Sequence, residues 1–361
     1  MGEKKPTTAR SVLWPSDTNI LVRVAILYVG QGSCAIVFAA SGNSYKVVLI
    51  DINLDSGAGG IDVPKLMKDL LDGEALHAFV NTHPHDDHLR GVEDLSDTVT
   101  INNVWHSGHI PSKKYGASYD NLKRVIAKVK KANGDDAEVI LEGSRSAKTL
   151  GDAAYYVLGP AEHVTDDVNE DEADARYARI HEQCAVLKFG KGKQWIMIAG
   201  DADRKAFEDH ITDYHKERLG AFALAGSHHG SRTFFRETDD EDDEPYLDAL
   251  KAINPTYVVI SAPKQSESKH EHPHDDAVEL YEDHVGSKNV LHTGADRKCF
   301  IFDIFKDGTV SGILDDGGKL AKEYGLSDGD DDGGGDKTES KASGGFRPPE
   351  APATPGGGRW G

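Results

Sequence analysis

Three imidazoles and two carboxylates fall within six consecutive positions, His83-Pro84-His85-Asp86-Asp87-His88, directly after the short run Ala78-Phe79-Val80-Asn81. Neutral imidazole suits Zn, Mn, Fe or Ni, and a carboxylate adds a harder ligand. Alternate side chains on an extended segment point the same way, so His83 and His85 can grip one ion. Asp87 and His88, at the start of a following helix, can face a second. A solvated polar loop that happens to hold histidines does not account for this density.

Two further strand ends carry polar groups suited to the same chemistry. Ile196-Met197-Ile198-Ala199 runs into Gly200-Asp201, and the apolar run ending at Ala225 leads into Gly226-Ser227-His228-His229-Gly230-Ser231. A strand followed by Gly-Asp is by itself a common structural turn. A lone histidine is more often a satisfied polar residue than a ligand. Here both follow the histidine cluster in order, which makes them candidates.

The pattern His83-x-His85-x-Asp87-His88 after a strand resembles the metallo-β-lactamase superfamily. The resemblance implies an α/β fold, an αββα sandwich of two mixed β-sheets flanked by helices, and metal-dependent hydrolysis. Carried over position by position, it implies His83 and His85 on one metal, Asp87 and His88 on the second, and Asp201 as the bridge. His228 is the favoured further ligand of the second metal. His229 stays open as a ligand, a neighbour of a ligand or a substrate contact. The third histidine usual at the first site has no obvious match. His181, in His181-Glu182-Gln183-Cys184 ahead of a strand, is the candidate for it, and His163 a weaker one.

Val29-Gly30-Gln31-Gly32, the cluster, Gly200-Asp201, His228-His229-Gly230-Ser231 and His272-Pro273-His274 occur in that order. Together they resemble the hydrolase domain of the ComEC DNA-uptake channel protein and its free-standing relatives, over roughly Ile20 to Gly312. That resemblance implies phosphodiester cleavage in a nucleotide or nucleic acid. The family has an acid on either side of the Val-Gly-Gln-Gly run where this chain has Tyr28 and Ser33. His272 is expected to contact a phosphate oxygen or protonate a leaving group; the bland reading is a loop histidine in the charged stretch Ser266–Asp276. Asp87, His229 and His272 are thus the expected catalytic groups. Two divalent ions, zinc by default with manganese as rival, would share a hydroxide and polarise the scissile bond. An ester or lactone hydrolase and a non-catalytic metal-binding interaction protein are the competing readings.

These groups need strands and helices to hold them. Ile20–Phe38, broken by Gly30-Gln31-Gly32, predicts two strands around a glycine turn. Lys46–Ile52 predicts a buried strand ending in an acid. Val63, Leu66, Met67, Leu70 and Leu71 mark one face of a helix. Strands are expected at Ala78–Asn81, Ala154–Leu158, Ala185–Phe189, Trp195–Ala199, Phe222–Ala225 and Tyr257–Ser261, and helices at Lys205–His215 and Ala277–His284. Asn289–Thr293 and Cys299–Ile304 are expected to close the fold as a strand pair. Alternating strands and helices indicate a layered α/β domain. It is expected to span 18–326, after a flexible lead (1–17) and before a disordered Gly/Asp/Pro-rich tail (327–361).

The 361 residues carry a formal net charge of −20, with 38% hydrophobic and 28% charged residues. No basic stripe of the kind that drives non-specific binding to nucleic acid is visible, which favours a short or small substrate. The acidic stretches Asp166–Asp174, Glu237–Glu244 and Asp328–Asp336 read as solvated loops or tails. No apolar run approaches the ~20 residues needed to span a bilayer, and Met1–Arg10 has no apolar core of a secretory signal. Cys34, Cys184 and Cys299 are dispersed and odd in number, which fits a reducing, cytoplasmic compartment.

Overall fold

Ile20–Ile26 (Ile-Leu-Val-Arg-Val-Ala-Ile) is buried at all seven positions, the signature of a strand covered on both faces. It is the first strand, β1, of a computed structural model that describes residues 6–111, 116–237 and 243–327. The strands that follow are β2 (Ala35–Ser41), β3 (Ser44–Ile50), β4 (Ala78–Asn81), β5 (Val104–His106), β6 (Glu138–Ile140), β7 (Lys148–Leu150), β8 (Ala153–Gly159), β9 (Val186–Lys191), β10 (Gln194–Ile198), β11 (Ala223–Ala225), β12 (Tyr257–Ile260), β13 (Val290–His292), β14 (Phe300–Phe305) and β15 (Leu314–Asp315). They form two mixed sheets. One has the order β15-β14-β1-β2-β3-β4-β5-β6 and the other β13-β12-β11-β10-β9-β8-β7.

Strand alternation sorts the apolar residues into three layers. Val22, Val24 and Ile26 of β1 join Leu187 and Phe189 of β9 between the sheets. Ala25 and Phe38 face the opposite way, against the helices over the first sheet, together with Leu66, Met67 and Leu70. Val186 and Met197 face helices over the second sheet, among Phe207, Phe234 and Tyr281. Helix, sheet, sheet and helix stack in that order, the αββα sandwich expected.

Local signals set the elements. The helix Val63–Leu71 begins where Asp62 accepts the Lys65 N–H at 3.0 Å and Pro64 fixes the first turn, a favoured start for a helix. β13 and β14 were expected to pair, but they lie in different sheets. β13 pairs in parallel with β12 as the edge of the second sheet, and β14 pairs antiparallel with β1. The chain crosses between the two layers within Thr293–Asp296 and the residues after it, so nearness in sequence does not make these strands partners.

Part of the expected flexible lead is ordered. Thr8–Leu13 is a helix capped by Thr7, with Ala9 and Leu13 buried. Arg23 donates to both Asp303 oxygens at 2.7 Å and to the Leu13 carbonyl at 3.1 Å, tying that helix to the first sheet. The acidic stretch Asp166–Asp174 is likewise no loop. It lies in the helices Glu162–Glu170 and Ala173–Ala178, the first of which buries Val164 and Val168. The described residues belong to one compact unit. The expected tail from residue 328 onward lies outside the described residues, as does most of Glu237–Glu244. No helix among the described residues is long and apolar enough to cross a membrane.

The helical run expected at Lys205–His215 is a wide turn over Ala206–Ile211 followed by Thr212–His215. His215 is buried, and its Nε2–H donates to the Leu158 carbonyl at 2.8 Å. Burial pushes its pKa down to about 4. The unfolded chain therefore binds more protons than the folded one as pH falls from about 6.5. Stability is expected to drop as pH falls through that window to about 4. Melting temperature against pH should show a shallower slope there for His215→Gln; equal slopes would remove His215 as the cause.

Candidate metal centre

The histidine cluster follows β4, whose four residues are all buried. The chain bends at Thr82 and His83, His85 stands on extended backbone, and Asp86–His88 turn into a short 3-10 helix. His83 Nε2 and His85 Nδ1 converge to 2.9 Å, and His181 Nε2 reaches to 3.3 Å from His85 Nδ1. With Asp201 they form a group whose donor atoms all lie within 4.8 Å of one another. A second such group is Asp87, His88 and His229. His229 Nε2 lies 3.3 Å from His88 Nε2 and 3.3 Å from Asp87 Oδ2. Asp201 stands between the groups, with Oδ2 3.6 Å from His83 Nε2 and 3.5 Å from His229 Nε2, and Oδ1 3.1 Å from His88 Nε2.

The sequence favoured His228 for the second group and left the role of His229 open. His229, not His228, belongs to the group with Asp87 and His88. His228 Nε2 lies 3.6 Å from Asp201 Oδ2, and its ring packs 4.3 Å from that of His181. Both residues adopt left-handed backbone, with φ of 47° and 56°. Non-glycine residues there cost roughly 1–3 kcal/mol each, and such strain gathers at functional sites. His181 joins the first group as its sequence order suggested. His163 does not; its ring lies 5.6 Å from that of His210.

Supporting bonds aim the donors inward. His88 Nδ1–H donates to Asp51 Oδ2 at 2.7 Å, and His229 Nδ1–H to the Ser261 carbonyl at 2.9 Å. Each bond fixes a tautomer and turns Nε2 toward Asp201. Asp51 also accepts the Thr82 N–H at 2.8 Å and the Thr82 hydroxyl at 2.7 Å. It was visible in the sequence only as the acid closing a strand. Gly200, at φ +54°, could carry no side chain, since a Cβ would meet Cys184 Sγ at 2.7 Å and Thr82 Cβ at 3.0 Å. That packing is why the residue before Asp201 is glycine.

The site forms the floor of an open cavity of about 800 Å³. Gln31, from the glycine turn, enters it, and its Nε2 lies 3.4 Å from His272 Nδ1. His272 packs 5.2 Å from His228, ring to ring. Asp55, Arg90, Tyr177, Glu267, Lys269 and His270 also line the wall; they come from segments far apart in the chain, which no single motif joins. Tyr28 does not replace the expected acid in the cavity. It is buried and donates its hydroxyl to the Ala58 carbonyl at 2.6 Å. Ser33 lies where its N–H reaches the Asp87 carbonyl at 3.4 Å.

The donor set fits divalent metal. Asp201 Oδ1 is buried with no hydrogen-bond partner, its 3.1 Å approach to His88 lacking hydrogen-bond alignment. Burial resists charge on His229, yet Asp201 and Asp87 raise it to about 10. His88 also rises well above its ordinary value, as Asp201, Asp51 and Asp87 outweigh burial. Burial likewise opposes ionisation of Asp87, but His88 and His229 hold its carboxyl well below the usual range. The carboxylates thus draw cationic charge into this pocket, and protons on the imidazoles supply it when no ion does. Burial and His88 hold His83 well below its ordinary value, and burial and His228 do the same to His181, leaving both imidazoles neutral, as ligands must be.

Residues 21–175 match the family model of the metallo-beta-lactamase superfamily. No curated protein matches the chain. Among solved structures, it is similar to a beta-lactamase domain protein from Burkholderia ambifaria, with 12% identity, 56% of this chain and 58% of that chain covered, and a TM-score of 0.28. An archaeal metallo-beta-lactamase superfamily protein from Sulfolobus tokodaii is 15% identical over 73% of this chain and 98% of that one, with a TM-score of 0.31. A metallo-beta-lactamase bound to 2-mercaptoethanesulfonate is 10% identical over 73% and 96%, with a TM-score of 0.29.

Proposed function

We propose that the protein, whose residues 21–175 match the metallo-beta-lactamase superfamily model, is a metal-dependent hydrolase that cleaves a phosphodiester in a small or short substrate. The observation that carries this reading is the convergence of two donor groups on Asp201 at the floor of an open cavity. His83, His85, His181 and Asp201 would hold one divalent ion, and Asp87, His88, His229 and Asp201 the other. Zinc suits this nitrogen-rich set, with manganese as rival. Such ions supply Lewis acidity toward the scissile group and lower the pKa of water.

The chain's own residues do the rest. Asp51 and Ser261 keep His88 and His229 oriented. His272 sits at the cavity edge, where burial and then His228 and His229 push it down to about 2, so it is neutral. It offers substrate a hydrogen bond rather than a positive charge, which favours the phosphate contact over the leaving-group acid, the two roles expected of it. Arg90, Lys269 and His270 on the wall suit a phosphate, while Asp55, Asp86 and Glu267 beside them repel a long polyanion. The order of motifs, which resembles that of ComEC-type hydrolase domains, supports the phosphodiester, and the three free cysteines support a cytoplasmic setting.

Chelator-stripped protein is expected to regain cleavage of bis(p-nitrophenyl) phosphate with Zn²⁺ or Mn²⁺, and His85→Ala to lack it. Metal-loaded protein that leaves this substrate intact would sink the phosphodiester reading and move the search to esters and lactones. Salt separates long from short substrates: cleavage of long DNA should fall steeply between low and moderate salt, and that of a small diester should not.

A further inference from the structure

His181 is the one histidine of the first donor group that comes from the second sheet's side of the molecule, as Asp201 after β10 also does. His83 and His85 follow β4 of the first sheet, whereas His181 precedes β9 of the second. The first group is therefore closed only if the loop bearing His181 is held against the first sheet. Two residues beyond His181, Gln183 is fully buried, and its Oε1 lies 2.6 Å from Nδ1 of His109, also buried. His109 belongs to the loop after β5 of the first sheet. That loop is itself fixed on both sides of His109: Asn169 donates to the Gly108 carbonyl at 2.9 Å and accepts the Ile110 N–H at 2.8 Å. The Gln183 amide nitrogen has no hydrogen-bond partner among the described residues. The bond to His109 is thus the one hydrogen bond of this buried side chain among the described residues.

We propose that the His109–Gln183 bond is a strut between the two sheets that positions His181 and so sets the affinity of the first metal site. The inference rests on the metal-centre reading above. His109 would touch neither ion nor substrate; it is a positioning residue. Without it, Gln183 keeps a buried carbonyl oxygen with nothing to bond, and the loop satisfies that oxygen only by opening toward water. Opening carries His181 away from His85. The second group, Asp87, His88 and His229, has no residue on this loop and should hold its ion as before.

The test is Zn²⁺ competition between the full chain and a chromophoric chelator, with no substrate present. Wild type is expected to bind two ions. His109→Ala should weaken one of the two dissociation constants by about ten- to a hundredfold, the range for removal of groups that support ligands, and leave the other within about threefold. His109→Asn, whose amide can donate in place of the ring nitrogen, should restore much of the loss; a merely volume-filling role would not produce this rescue. Gln183→Leu breaks the same bond at similar volume and serves as the reading if His109→Ala does not fold. The proposal is overturned if both constants stay at wild-type values, if both weaken together, or if Asn rescues nothing. Wild type that binds no ion would instead sink the metal-centre reading, and the strut with it. Failure to cleave any diester would sink the substrate reading alone.

Discussion

Replacing Asp201 with alanine is expected to lower turnover of bis(p-nitrophenyl) phosphate by more than about 10³-fold, the loss of several kcal/mol of Lewis-acid stabilisation. It is also expected to reduce bound metal to at most one ion per chain. Asp201 stands against both donor groups, with approaches of 3.6 Å to His83, 3.1 Å to His88 and 3.5 Å to His229. Asp201→Asn keeps the shape and removes the charge, so it should keep the fold and lose the ions. Metal analysis after gel filtration, paired with the assay, reads both effects. A variant that holds two ions and turns over within about tenfold of wild type would show that Asp201 is not the bridge.

The second large effect is expected at Asp51, which lies behind the site rather than in it. This fully buried carboxylate receives the Thr82 N–H, the Thr82 hydroxyl and the His88 Nδ1–H at 2.7–2.8 Å. Asn81 Nδ2 adds a longer approach at 3.4 Å. Its own backbone is left-handed, at φ 56°. Alanine there leaves a charged or polar cluster without its acceptor, a loss on the order of 3–5 kcal/mol for a buried ionic partner. Metal affinity should fall by about ten- to a hundredfold, because nothing then holds the His88 ring in its tautomer. Urea unfolding of metal-free protein separates the first effect from the second. Asp51→Asn should fall between alanine and wild type in both. Unchanged stability in metal-free Asp51→Ala would mean that these bonds contribute nothing net to the fold.

Both residues show where the sequence was enough and where it was not. The cluster His83–His88 was legible because its donors are contiguous: one strand end and one turn place four of them, and the period of two on extended backbone says which face together. Asp201 was legible for a related reason, as a buried strand ending in a glycine that packing requires. Most strands could be read as well, since burial on both faces leaves near-continuous apolar runs such as Ile20–Ile26, interrupted only by Arg23.

What the chain could not disclose is decided between elements. His228 and His229 are adjacent and chemically alike. Only the paired left-handed turns, with the Ser261 carbonyl behind His229, send His229 to Asp87 and leave His228 beside His181. His181 becomes a member of the first group only because loops from two different sheets meet. Asp51 acquires its role from a turn 37 residues further along the chain. The strands Val290–His292 and Phe300–Phe305 separate into different sheets despite lying so near in sequence. The acidic segment around Asp166–Asp174 is helical because Val164 and Val168 find cover, not because its composition favours it. In each case local pattern fixes what a residue can do. The three-dimensional packing fixes which partner it does it with, because that choice depends on distances across loops whose sequences carry no periodicity.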